Sequence, residues 1–382
     1  MVDALRGFAL LGLWLVHCVE GFELYWLEAH PPSAWFDAVF AVFSSKSFAI
    51  FALLFGFSFA TIMANGKSRG QDATGRFAWR LAVLLAIGTV HALLYRGDIL
   101  QVLAVLGLLA IPLGWVRSRW TLALIAVILF LQVPLWLRAY LALHDPAVAA
   151  VPPYFATDTG QALLRDGTFW QVTASNAAEG MLSKWSFYGE VGRLTQIAGL
   201  VVTGMLLHRT RLFADAAARL RTWAGIAAAG GLAWLALHFF GAMLILPTAE
   251  QGGVQMAWQN SDWALTQYRA LAATAFQVAL FVLAWHSPLR QALAWLQAPG
   301  RMTLTLYVGQ SVIGCLLLYG YALALWPALT QPMLVLGGIA LFAGQAALAH
   351  WWFARFAYGP LEWLWRAATL RRRDIPFRRQ PA

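Results

Sequence analysis

Long apolar runs of about 17–25 residues, each enough to cross a ~30 Å hydrocarbon core, recur from one end of the chain to the other. Ten are predicted as membrane-spanning helices, at roughly 4–23, 43–64, 77–95, 98–116, 120–140, 190–208, 222–246, 265–286, 302–325 and 332–354. The expected fold is therefore an all-α polytopic membrane protein, with about ten transmembrane helices in one bundle over residues 1–354. Two connections are long, 24–42 and 141–189, and residues 355–382 form a basic tail.

The polar connections alternate in charge. Lys67, Arg69 and Arg76 follow the second run, Arg117 and Arg119 the fourth, and Arg209, Arg211, Arg219 and Arg221 the sixth. Arg290 follows the eighth and Arg301 opens the ninth, while the tail adds Arg355, Arg366, Arg371, Arg372, Arg373, Arg378 and Arg379. The intervening connections are acidic or mixed, with Glu23 and Glu28, then Arg96 and Asp98, then Asp145, Asp158, Asp166 and Glu179, then Glu250 and Asp262. The positive-inside rule puts both termini and every arginine-rich loop in the cytoplasm.

Composition agrees: 60% of residues are hydrophobic and 12% charged, against about 25% charged in a soluble domain. The net charge of +10 is then a matter of topology and of a tail on anionic headgroups, and no nucleic-acid partner is expected. The two cysteines, Cys18 and Cys315, lie in apolar runs as small packing residues, and no residues have metal-ligand spacing. The first run is too long for a cleaved signal peptide and lacks its small-residue site.

That first run carries Asp3, Arg6, His17 and Glu20. At about 100° and 1.5 Å per residue, Arg6 and His17 point the same way, and Asp3 and Glu20 fall within roughly 60° of them. One polar stripe thus runs the length of the helix, with His17 about 20 Å along it. An ionisable group at that depth normally faces a bundle interior or a wet cavity. A plainer reading has Asp3 and Arg6 pairing at the boundary and His17 as a satisfied interior residue.

On this topology His17, Glu20, Glu23, Glu28 and His30 lie towards the outer face, as do Lys46, His91, Arg96 and Asp98, with Gln101 one turn beyond Asp98. They could meet in one outward pocket, and a histidine oriented by a carboxylate is the usual general base; ordinary solvated loop charges would look the same. His208, His286 and His350 are read as interfacial. The run from Phe169 to Tyr188, with Trp170, Trp185 and Phe187, reads as a segment over a cavity mouth or as a plain connector with belt aromatics.

Four segments resemble the YeiB-like family of bacterial inner-membrane proteins, which carry domain of unknown function 418 (DUF418). They are Asp3-Ala4-Leu5-Arg6-Gly7-Phe8-Ala9-Leu10-Leu11-Gly12, Gly97-Asp98-Ile99-Leu100, Gly300-Arg301-Met302-Thr303-Leu304-Thr305-Leu306-Tyr307 with Gln310-Ser311, and Gly359-Pro360-Leu361-Glu362-Trp363-Leu364-Trp365-Arg366. Members usually carry a short segment ahead of the Asp-x-x-Arg-Gly motif, so the resemblance implies that this chain begins late. The family is distantly similar to transmembrane acyltransferases such as heparan-alpha-glucosaminide N-acetyltransferase, in which an asparagine and then a histidine follow that motif. His17 stands where the asparagine would be, and His30 is nearest to the catalytic histidine.

Two function classes follow. As an enzyme, the protein would move an acyl group, most simply acetyl, from cytoplasmic acyl-CoA to a hydroxyl or amine of an outer saccharide or other small-molecule acceptor. His30 would be the base, His17 second, and Asp98 would orient one of them. Arg6 and Arg301 would meet the CoA phosphates, and Gln101 falls where those enzymes have a Gly-x-x-Gln segment. The alternative is a transporter, mildly disfavoured by the lack of an internal repeat and of a mid-span carboxylate; a degenerate fold that only binds a ligand is a third possibility. The expected partners are the bilayer, the acceptor and, as an open expectation, further copies of the chain in a homo-oligomer.

Overall fold

The computed structural model describes residues 1–68, 70, 73–372 and 374–379; Arg69 and Arg373 of the basic connections lie outside them. The described residues are overwhelmingly helical, with one isolated β-bridge between Phe356 and Arg378. In chain order the helices begin with α1 Val2–Val19, α2 Ala34–Phe43, α3 Lys46–Ser68, α4 Thr74–Leu94, α5 Leu100–Ala110, α6 Arg119–Phe130 and α7 Val133–His144. Then come α8 Pro146–Ala149, α9 Leu163–Asp166, α10 Phe169–Ala177, α11 Glu179–Glu190, α12 Arg193–Arg209, α13 Leu220–Phe239 and α14 Gln255–Trp285. The last are α15 Arg290–Ala294, α16 Gln297–Arg301, α17 Thr303–Leu318, α18 Gln331–Phe353 and α19 Pro360–Leu370.

Among the described residues seven helical stretches are long and apolar enough to cross a membrane. Two bent pairs raise the number to nine, and Leu100–Trp115 is a shorter apolar stretch. Each of the ten expected runs coincides with one of these, so the all-α polytopic fold stands. The added detail is the bends: α11 meets α12 at 69°, and the α15–α16 segment meets α17 at 80°. The first bend falls at Gly192, whose φ of +76° lies in the left-handed region that only glycine enters freely.

The core is α1, held by α3, α16, α17 and α18. A Cβ on Gly300 would sit 1.6 Å from the Asp3 carbonyl oxygen, and one on Gly7 would sit 2.1 Å from that of Leu296. The backbones of α1 and α16 therefore touch, the small-residue packing that membrane helices use in place of a hydrophobic driving force. Around the outside, Leu232, Phe239, Leu336 and Ile339 are exposed, as lipid-facing side chains must be.

The segment after residue 355 is more than a tail. Pro360 starts α19, where its missing N–H leaves no bond unmade, and the chain then folds back, Ala357 N–H donating to Phe377 O at 3.0 Å.

Candidate functional site

Two cavities open from opposite ends of the bundle. We call inner the end that carries the arginine-rich connections and outer the other, following the positive-inside rule.

The outer cavity is about 470 Å³. His17 enters it from the last turn of α1, and Glu20 and Glu23 from the 3₁₀ turn that follows. His17 Nδ1 lies 3.0 Å from Tyr95 Oη, while its buried Nε2 has no partner among the described residues. When Nδ1–H donates to the tyrosine oxygen, Nε2 keeps a free lone pair. Arg96 pairs with Asp158 at 3.1 Å, Lys184 Nζ donates to Gln101 Oε1, and the Arg193 guanidinium lies 4.9 Å from the Phe48 ring and 4.7 Å from the Phe187 ring. Glu23 and Ser45, both on the wall, hold φ of 87° and 64°. Strained non-glycine backbone of this kind gathers at functional sites.

The inner cavity, about 260 Å³, is lined by Arg6, Ser58, Arg80, Arg301, Glu362 and Trp365 among others. Arg6 is tied to Asp3 at 2.8 Å. The other two guanidinium groups lie over rings, Arg80 3.5 Å from the centroid of Trp365 and Arg301 4.2 Å from that of Phe353. Among the described residues no carboxylate comes within ion-pair distance of Arg80 or Arg301. Glu362 is engaged elsewhere. Its Oε1 accepts the N–H groups of Leu304 at 2.7 Å and Thr305 at 3.0 Å, and its Oε2 accepts Thr305 Oγ1–H at 2.6 Å. Burial raises its pKa above the ordinary carboxylate value, against the pull of those bonds.

Leu13, Ile99 and Tyr307 line both cavities. The two spaces thus stand back to back across a wall one side chain thick.

The sequence-predicted residues divide accordingly. Arg6 and Arg301 converge on the inner cavity and His17 on the outer one. His30 does not join them: it is exposed, stacked on Tyr25 with centroids 4.5 Å apart, because the chain runs out in extended form from Glu28 towards Pro31-Pro32. Asp98 orients neither His17 nor His30. Its Oδ1 lies 2.7 Å from Nδ1 of His91, both side chains fully buried, since the tight turn between α4 and α5 folds it onto the last turn of α4. Its Oδ2 also accepts the Gln101 N–H at 3.0 Å. Gln101 faces neither cavity and donates to Thr89 Oγ1 at 2.9 Å, while the lysine of the outer cavity is Lys184, not Lys46, which donates to Phe40 O at 3.2 Å. Arg80, Lys184, Arg193 and the place of Tyr307 in both cavity walls were missed; a cation inside an apolar run was the one signal available for Arg80 and Arg193. Among the described residues no three His, Cys, Asp or Glu side chains gather to hold a metal ion.

Residues 182–372 match the family described as "Protein of unknown function (DUF418)". The chain belongs to the DUF418 family. Residues 1–157 of this DUF418 protein match the catalytic region of heparan-alpha-glucosaminide N-acetyltransferase, so its first part is acyltransferase-like in sequence. Both matched regions wall both cavities. Full-length similarity extends to uncharacterised bacterial proteins, two of which follow. YxaH of Bacillus subtilis is 25% identical over 97% of this chain and 93% of its own length. YeiB of Escherichia coli is 27% identical over 97% of this chain and 96% of its own.

Proposed function

We propose that this DUF418 protein is a transmembrane acyltransferase that takes an acyl group, most simply acetyl, from cytoplasmic acyl-CoA and delivers it to a hydroxyl or amine of an outer acceptor such as a saccharide. The observation that carries this reading is the shared wall of Leu13, Ile99 and Tyr307 between the two cavities. A donor and an acceptor that never share a compartment need contact sites separated by no more than the group that moves.

The inner residues fit the donor. CoA brings phosphates, and Arg80 and Arg301, without carboxylate partners among the described residues and preset over aromatic rings, are cations awaiting an anion; Arg6 stands beside them. On the outer side His17 Nε2 is the base that takes the acceptor's proton. The match of residues 1–157 supports the same chemistry. The relatives are bacterial, and a bacterial inner membrane separates the acyl-CoA pool from an outer acceptor by a single bilayer. The test is calorimetric titration of the purified protein with acetyl-CoA, on wild type, Arg80→Ala and Arg301→Ala. Micromolar binding that both variants weaken is expected; no heat with wild type overturns the reading.

One observation favours a second reading, a transporter. Broken spans with half-helix N-termini at a ligand site are a transporter device, and α12 and α17 each begin at such a break. Counterflow of a labelled substrate in proteoliposomes, with no CoA release, would favour it.

A further inference from the structure

Tyr307 stands where the two cavities meet. Its oxygen accepts the N–H of Ile99 at 3.3 Å, and Ile99 is itself one of the three residues common to both cavities. The ring is held from behind by His91, centroids 5.2 Å apart, and His91 is fixed in turn by Asp98. The side chain is 4% exposed. Its oxygen has a donor, but among the described residues no acceptor takes its hydrogen. An O–H with its oxygen already hydrogen-bonded is a polarised donor, and leaving a buried donor without an acceptor is unfavourable unless a ligand supplies one.

We propose that Tyr307 is a catalytic residue that donates its hydrogen bond to the thioester carbonyl oxygen of the acyl donor at the moment of transfer. The inference rests on the acyltransferase reading. The acceptor's oxygen or nitrogen lone pair attacks the carbonyl carbon and forms the new bond. The C=O electron pair moves onto oxygen, where the Tyr307 O–H meets the growing charge. The tetrahedral species then collapses, the C–S bond breaks, and the thiolate leaves towards the inner cavity. The acceptor's proton passes to His17 Nε2 and from there to the departing sulfur. A donor in a low-dielectric wall, fixed before the reaction, suits an oxyanion because nothing has to reorganise. The position also explains why a hydroxyl lies on a wall otherwise made of Leu13 and Ile99: the reacting carbonyl is the one part of the donor that must reach it.

The test is Tyr307→Phe, which keeps the ring against His91 and removes only the oxygen. Full-length wild type and variant, in lipid nanodiscs, are given acetyl-CoA with glucosamine as the probe acceptor and, separately, with water alone, and free CoA thiol is followed. The expected result is a kcat lowered roughly 10²–10³-fold with KM and the calorimetric Kd for acetyl-CoA within twofold of wild type. The unchanged Kd also shows that the variant is folded. A variant that binds normally and turns over within threefold of wild type overturns the role of Tyr307 and leaves the acyltransferase reading intact. A variant that has lost both binding and turnover makes Tyr307 a wall residue and overturns the inference. A wild type that binds acetyl-CoA but releases no CoA to either acceptor overturns the acyltransferase reading, and this inference falls with it.

Discussion

The two cavities handle charge in opposite ways. In the outer one, cations and carboxylates stand together: Arg96 holds Asp158, and Glu20 and Glu23 share the walls with Arg193 and Lys184. In the inner one, Arg80 and Arg301 lie over aromatic faces with no carboxylate partner among the described residues, and the carboxylate that is present, Glu362, is bound to the start of α17. A site balanced internally suits a ligand with little net charge and many hydrogen bonds. A site with unbalanced cations suits one that brings its own anions and must leave again.

That contrast can be broken from either side. The largest effect is expected at His17: His17→Ala should lower transfer by roughly 10²–10⁴-fold while acetyl-CoA titrates as in wild type. A matching loss of binding would mean that the cavities are not functionally separate. Asp98→Ala should come next, this time in stability. It strands His91 in a fully buried site, and leaving a buried hydrogen-bonding group without its partner typically costs about 1–3 kcal/mol, which a thermal-shift assay reads as a drop in Tm. Arg301→Ala should weaken acetyl-CoA binding roughly tenfold or more, and less so at high salt; an unchanged Kd would remove the inner cavity from the donor's path. Glu362→Ala, which uncaps α17, should lower stability by about 1 kcal/mol, measured by thermal shift. The smallest effect belongs to His30→Ala, expected within twofold of wild type in CoA release, because its ring lies outside the outer cavity. A large loss there would return the base to the position that spacing alone suggests.

The fold was legible because apolar run length is a direct consequence of bilayer thickness, and each expected run became a helix or a bent pair. The convergence of Arg6 and Arg301 was legible for the same reason, since charge asymmetry assigns both to one end. His17 followed from helical arithmetic along α1. The place of His30 outside the outer cavity was not legible, because spacing along a chain says nothing about where it goes after a left-handed turn at Phe22 and Glu23. The His91–Asp98 pair was within reach of a reading, seven residues apart across a turn. The Lys184–Gln101 contact, 83 residues apart, was not, because it depends on how α11 bends against α12.

The glycine contact between α1 and α16 has a bearing on how such a machine could move. Gly300 touches the chain at Asp3, and Gly7 touches Leu296, so the strut that carries His17 and the one that leads into Tyr307 are seated main chain on main chain. Side chains can repack under load; abutting peptide planes cannot. His17 and the helix leading into the dividing wall are therefore joined main chain to main chain, like jaws cast in one piece, and any gating needed to admit a bulky ligand would fall to the parts around them: α19 beneath the inner cavity, and the elbow at Gly192 beside the outer one.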